Sequence, residues 1–182
     1  QAVALEPDHV SAYALIVEDG TALARQVRRG ELVMPDEDET ADKYMLADEL
    51  LTAAGLGWYE LSNWAVSEAG RCRHNLGYWN SDDWFGIGPG AHSFVAGERW
   101  WNVKHPAAYA QRLAAGESPR HDGESIDADT AQVERIMLQT RLRSGLPTSE
   151  LAADALAKVP ELARRGMLAE RDDHLVLTLD GR

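Results

Sequence analysis

The run Gly86-Ile87-Gly88-Pro89-Gly90 constrains this chain more than any other feature, because each reading of it implies a different fold. A dinucleotide fingerprint needs its glycines to open a helix after a strand, and a phosphate loop needs a Lys-Ser/Thr pair that is absent here. Trp84, Phe85, Ile87, Ser93 and Phe94 around it instead predict a strand whose glycines let another backbone or a flat ligand come close. Just before it stands Arg71-Cys72-Arg73-His74-Asn75-Leu76-Gly77-Tyr78-Trp79. Imidazoles, guanidinium groups, a thiol and large rings crowd together there more densely than a packing element requires. All six tryptophans fall between Trp58 and Trp101. The aromatic surface is therefore concentrated beside the glycine run.

Composition sets the outer bounds. With 45% hydrophobic and 26% charged residues, 182 residues suffice for one domain or one with a small appendage. A net charge of −12 argues against a nucleic-acid duplex as partner, since phosphate binding rests on a Lys/Arg surplus. No apolar run reaches the length of a transmembrane helix and no basic-then-apolar leader opens the chain, so a cytoplasmic protein is expected, with at most peripheral membrane contact. A single cysteine excludes a disulfide framework, a thiolate zinc site and a cysteine-held iron–sulfur cluster within this chain.

Taken in order, the chain opens on what reads as the tail of a helix, as though it began inside a larger element. His9 to Val17 predicts a strand covered on both faces, as in a parallel sheet. Thr21 caps a helix that Gly30 ends. Pro35 and Asp36 open a long helix with a buried stripe of Ala41, Tyr44, Met45, Ala47, Leu51 and Ala54, stopped at Gly55. Gly57 to Trp64 is the next strand. Trp100 to Val103 returns from a turn at Val95 to Arg99, and His105-Pro106 starts a helix through Ala115. Residues 117–125, rich in Ser, Pro, Gly and charge, are the expected domain boundary. Beyond them a helix over 129–143 with Val133, Ile136, Met137 and Leu142 inward, a helix capped by Thr148, a third over 159–165 and two short strands describe a winged-helix-like module. Its eight basic against eleven acidic residues over 123–182 leave no footprint for DNA.

His74 and Tyr78, four residues apart, share a helical face, with Trp79 alongside. A neutral imidazole is a common protein ligand for haem iron, rings pack on a porphyrin, and Arg71 and Arg73 suit its carboxylates. The alternative is a core histidine satisfied by a backbone carbonyl. His92 reads as a second ligand, an acid–base group, a pocket-lining residue or a hydrogen-bonded strand histidine. Asn75 is an amide suited to orienting His74 or backbone. His9, His105, His121 and His174 stand at element ends and are expected to be solvated.

His9-Val10-Ser11-Ala12-Tyr13, Tyr59-Glu60-Leu61-Ser62-Asn63-Trp64-Ala65, His74-Asn75-Leu76-Gly77-Tyr78-Trp79 and Gly86 to Ser93 together resemble the C-terminal half of the HemW-like haem chaperones of the radical SAM superfamily. These are relatives of HemN, the oxygen-independent coproporphyrinogen III oxidase. The resemblance implies an α/β fold: the end of a radical SAM (β/α)6 partial barrel with a β extension over 1–122, then a winged-helix-like HemN C-terminal domain over 123–182. It carries the family's His-Asn-x-x-Tyr-Trp haem signature onto His74, Asn75, Tyr78 and Trp79, with His74 on the iron. It also places Ile16 and His92 beside the S-adenosylmethionine (SAM) pocket. Haem and respiratory-chain haem-accepting proteins are the implied partners. SAM and a [4Fe–4S] cluster are implied for the intact protein. The family's three-cysteine motif belongs to the other half and this chain has only Cys72, so it reads as a fragment without catalysis of its own. A fragment of a coproporphyrinogen III oxidase is the alternative.

Overall fold

A computed structural model describes residues 1–182 as two compact units, Gln1–Cys72 with Thr178–Arg182, and Arg73–Leu177. The first unit is built on a three-stranded antiparallel sheet, with β1 (His9–Ser11) and β2 (Gly57–Glu60) flanking β3 (Asn63–Ala65). Between β1 and β2 run α1 (Ala22–Arg28) and α2 (Glu37–Ala53). Both helices start as the sequence predicts. Thr21 accepts the Ala24 N–H and Asp36 accepts the Glu39 N–H, so each side-chain oxygen satisfies an amide that has no partner within its helix.

The first strand is shorter than expected and pairs the other way. It joins β3 antiparallel, His9 opposite Ala65, and no strand pairing extends past Ser11. Without a ladder the apolar run Tyr13, Leu15 and Ile16 stays exposed. In α2, Leu51 is buried but Ala41, Met45 and Ala54 are exposed. Ala41, Tyr44, Met45 and Ala47 of the predicted stripe instead border an open apolar cleft of ≈ 1220 Å³ that Tyr13, Leu32 and Val33 also line.

Trp58 and Trp64 sit opposite one another on β2 and β3, and Trp64 is fully buried. Its Nε1–H donates to Asp48 at 2.8 Å, Asp48 pairs with Arg182 at 3.1 Å, and the Arg182 guanidinium lies 4.1 Å from the Trp58 ring centroid. His9 is not solvated. Its Nε2 lies 2.8 Å from the Tyr59 hydroxyl, which also accepts the Cys72 N–H at 3.0 Å. Burial, opposed by the Cys72 hydrogen bond, holds the Tyr59 phenol above its ordinary pKa.

The second unit begins with α3 (Arg73–Trp79) and continues into a second antiparallel sheet, β4 (His92–Val95), β5 (Glu98–Asn102) and β6 (Arg120–Ser125), in that order. Ala96 and Gly97, at φ 51° and 82°, make the two-residue turn between β4 and β5, whose mirror-image backbone matches strand twist. α4 (Pro106–Ala114) connects β5 to β6. The polar stretch expected as a boundary thus supplies a strand, because its backbone pairs with Glu98–Asn102 whatever its side chains are.

At α5 (Ala128–Gln139), capped by Asp127, the expected inward face holds in part: Leu142 just beyond it is buried and Ile136 half-buried, but Val133 and Met137 are exposed, while Glu134 and Arg135 pair with Arg99 and Glu150. Thr148 caps no helix. It follows β7 (Leu146–Pro147) and opens a 3-10 turn, after which come α6 (Ala153–Leu156) and α7 (Val159–Arg164). β8 (Leu168–Arg171) and β9 (His174–Leu177) form the predicted hairpin, joined by β7 into a third sheet of order β7-β9-β8. Asp172 and Asp173, both at positive φ, make its turn. His174 is half-buried with Nδ1 on the Asp172 carbonyl, whereas His105 and His121 are exposed as expected. No helix is long and apolar enough to cross a membrane.

Candidate functional site

On α3, four residues advance the chain by about one turn. His74 and Tyr78 therefore stack on one face, their rings meeting edge to face at 4.6 Å. The contact continues from Tyr78 to Trp84 at 4.9 Å and 88°, and from Trp84 to Phe94 at 5.1 Å. Trp84 and Phe94 are held together by reciprocal backbone hydrogen bonds of 2.7 and 2.9 Å. Beyond Phe94 lies the Arg99 guanidinium, bound to Glu134 at 2.6 Å and Glu124 at 3.0 Å. The Glu134 hydrogen bond foremost raises its pKa, so the charge at this end is fixed. An aromatic row thus runs from a rigid ion pair outward to His74, which is exposed.

Trp79 lies one position further round the helix and faces elsewhere. The Arg141 guanidinium is 5.2 Å from its ring centroid, and its Nε1 is buried with no hydrogen-bond partner. Asn75 is half-buried. Of the two arginines expected beside His74, Arg73 is exposed, whereas Arg71 belongs to the first unit, paired with Glu68 at 3.3 Å over the Tyr59 ring. Ile16 also belongs to the first unit, exposed on the coil after β1.

The glycine run is a loop, not a strand. Its close approach is to backbone: a Cβ on Gly86 would lie 2.0 Å from the His92 carbonyl oxygen. The loop is tied down by the buried Asn102 amide, which donates to the carbonyls of Gly86 and Gly88 at 3.2 and 3.0 Å, and by Ser93, whose Oγ accepts the Gly86 N–H. His92 is exposed beside Trp101, ring centroids 5.5 Å apart. On β4 it alternates with Ser93 and shares a face with Phe94. The sequence motif did not identify Trp84, Phe94 or Arg141 as neighbours of the α3 rings; only their chemical types marked them, since their contacts arise between separate elements.

The thiolate count is decisive for a cluster. Cys72 is the one cysteine, its backbone N–H is engaged by Tyr59, and no group of three or more His, Cys, Asp or Glu could hold a metal ion. These residues do not fit a [4Fe–4S] cluster. The His74 imidazole, by contrast, is exposed at the surface.

Comparison with known proteins gives the family of the chain. A family model of the HemN C-terminal domain matches residues 126–182. The chain is 51% identical over 175 residues to the heme chaperone HemW of Mycobacterium tuberculosis, covering 96% of this chain and 45% of that protein. It is 30% identical over 189 residues to the heme chaperone HemW of Bacillus subtilis, covering 100% and 50%. The fold matches the Escherichia coli coproporphyrinogen III oxidase HemN, described as a radical SAM enzyme, with a TM-score of 0.68 at 16% identity, over 100% of this chain and 46% of that one. The chain spans about half the length of the curated relatives it matches.

Proposed function

We propose that this chain, which belongs to the HemW-like family of HemN-related radical SAM proteins, is a haem-holding portion of a haem chaperone, with the His74 imidazole as the ligand to iron. The observation that carries the reading is the exposed His74 ring, steadied from one side by Tyr78 at 4.6 Å, in a chain 51% identical to a heme chaperone. A neutral imidazole offers one nitrogen lone pair to iron, and exposure lets a macrocycle approach it. Tyr78 limits how the ring can turn. Asn75 is the amide next to it, suited to orienting His74 or backbone, and Trp79 contacts Arg141. Arg73 is the cation free to meet a haem carboxylate, in place of Arg71, which is committed to Glu68.

For the intact protein we infer SAM and a [4Fe–4S] cluster, the cluster on residues outside this chain, with Ile16 and His92 each proposed as a SAM-lining residue. Residues 123–182 serve as a C-terminal docking module. Delivery to respiratory haem proteins from the cytoplasm completes the reading. Haem titrated into the purified chain is expected to give a Soret shift that weakens in His74→Ala; an identical spectrum in the variant removes His74 as ligand.

The fold likeness to HemN favours a second reading, a portion of an oxygen-independent coproporphyrinogen III oxidase. The complete protein would then restore growth to a strain lacking that oxidase, and a failure to do so favours the chaperone.

A further inference from the structure

We propose that the second unit carries another ligand site, at Trp101, for a planar ring bearing an anionic arm. A cleft of ≈ 390 Å³ there is lined by Trp101, Val103, Lys104, His105 and His121, none of which takes part in the row ending at His74. The site is built by an irregularity of the sheet. Trp101 pairs with Asp122 but Asn102 pairs with Arg120, so His121 is an extra residue on β6, and such a bulge re-aims a side chain out of the regular alternation. It points the imidazole into the cleft.

The other walls come from the turn into α4, with the glycine loop packed behind Lys104. His105 is the residue before α4, its side chain making no capping hydrogen bond, and Pro106 fixes the helix start behind it. Gly90, at φ +68°, donates its N–H to the Val103 carbonyl at 2.9 Å and lies against the Lys104 stem, where an added Cβ would sit 3.5 Å from Lys104 Cγ. An ammonium and two imidazoles thus line the cleft together with the indole, and His92, a third imidazole, lies 5.5 Å from the Trp101 ring at a tilt of 30°. This cluster runs against a chain of net charge −12. Asp122 stands opposite Trp101, but its Oδ1 takes the Gly123 N–H. The indole offers stacking to a flat ring, and Lys104 with the imidazoles offers donors to a carboxylate or phosphate.

Two probes separate the sources of that anion: metal-free coproporphyrin, a flat ring with carboxylates and no iron, and AMP, a flat base with a phosphate. Each is titrated calorimetrically into the wild-type chain, into Lys104→Ala/His121→Ala, whose sites are on the surface, and into His74→Ala. At least one probe is expected to bind, about ten-fold or more weakly in the double variant, because charge-assisted hydrogen bonds are lost, and equally well in His74→Ala. The probe that binds identifies the arm. Binding of neither probe, wild-type affinity in the double variant, or loss of binding in His74→Ala overturns the proposal. Because neither probe carries iron, the result is independent of the haem titration that tests His74.

Discussion

Tyr78 stands between His74 and Trp84, edge to face with both, at 4.6 and 4.9 Å. One phenol ring therefore joins the exposed imidazole of α3 to the bridge between Trp84 and Phe94. Its hydroxyl is not what makes these contacts. Tyr78→Phe is expected to leave stability within about 0.5 kcal/mol, and Tyr78→Ala to cost about 2–3 kcal/mol through lost ring packing at a half-buried site. Urea unfolding of the two variants measures the difference, and in haem titrations only Tyr78→Ala should weaken binding. Equal loss in both variants would mean the hydroxyl matters instead.

The loop before β4 depends on two small features. Gly86→Ala must push a methyl into the His92 carbonyl, where the added carbon would stand 2.0 Å away, so the loop has to move. Asn102→Ala leaves the half-buried carbonyls of Gly86 and Gly88 without their donor, at a cost of about 1–3 kcal/mol. Thermal melts should place both variants well below wild type, with Gly86→Ala the lower. A melting temperature unchanged in Gly86→Ala would show that the approach of this backbone is not obligatory.

Arg182 is 8% exposed and Asp48 15%, so their pair is nearly desolvated, with the guanidinium also over Trp58. Arg182→Ala would strand the Asp48 carboxylate beside Trp64 and is expected to destabilise the first unit by about 3 kcal/mol. Arg182→Lys should recover only part of this, since an ammonium lacks the planar stack on the indole. Full recovery by lysine, in denaturant melts followed by tryptophan fluorescence, would reduce the contact to charge alone.

Alkaline pH should expose the burial of Tyr59. Its folded pKa is raised above the ordinary 10.0, chiefly by desolvation, and Tyr44 is raised for the same first reason. The unfolded chain then loses these protons first. The stability they contribute is complete below pH 10 and is lost as pH rises through the folded values. Unfolding free energies between pH 8 and about 12 should fall on the alkaline side. The fall should be shallower in Tyr59→Phe than in wild type; an identical slope would assign it to other groups.

Local chemistry made much of this protein legible before any coordinates. Thr21 and Asp36 cap their helices because a side-chain oxygen one residue ahead of a helix meets an amide a turn later, a relation contained in a few residues. The pairing of His74 with Tyr78 follows equally from helix pitch. The β8–β9 hairpin was visible from its paired aspartates between apolar runs.

What escaped was whatever depends on distant partners. Residues 12–17 look like a buried strand, yet without a neighbouring ladder Tyr13, Leu15 and Ile16 stay exposed. Val133 and Met137 look like core, but Arg99 and Glu150 draw Glu134 and Arg135 inward instead. His9 acquires Tyr59, fifty positions away, and Tyr78 acquires Trp84 from outside its helix. Sequence determined the caps, turns and the spacing of rings on α3, since backbone hydrogen bonding and helical pitch act over neighbouring residues. Tertiary structure alone decided which faces are covered and which imidazoles stand open, because burial is a property of surfaces meeting and no single segment carries its partner's position.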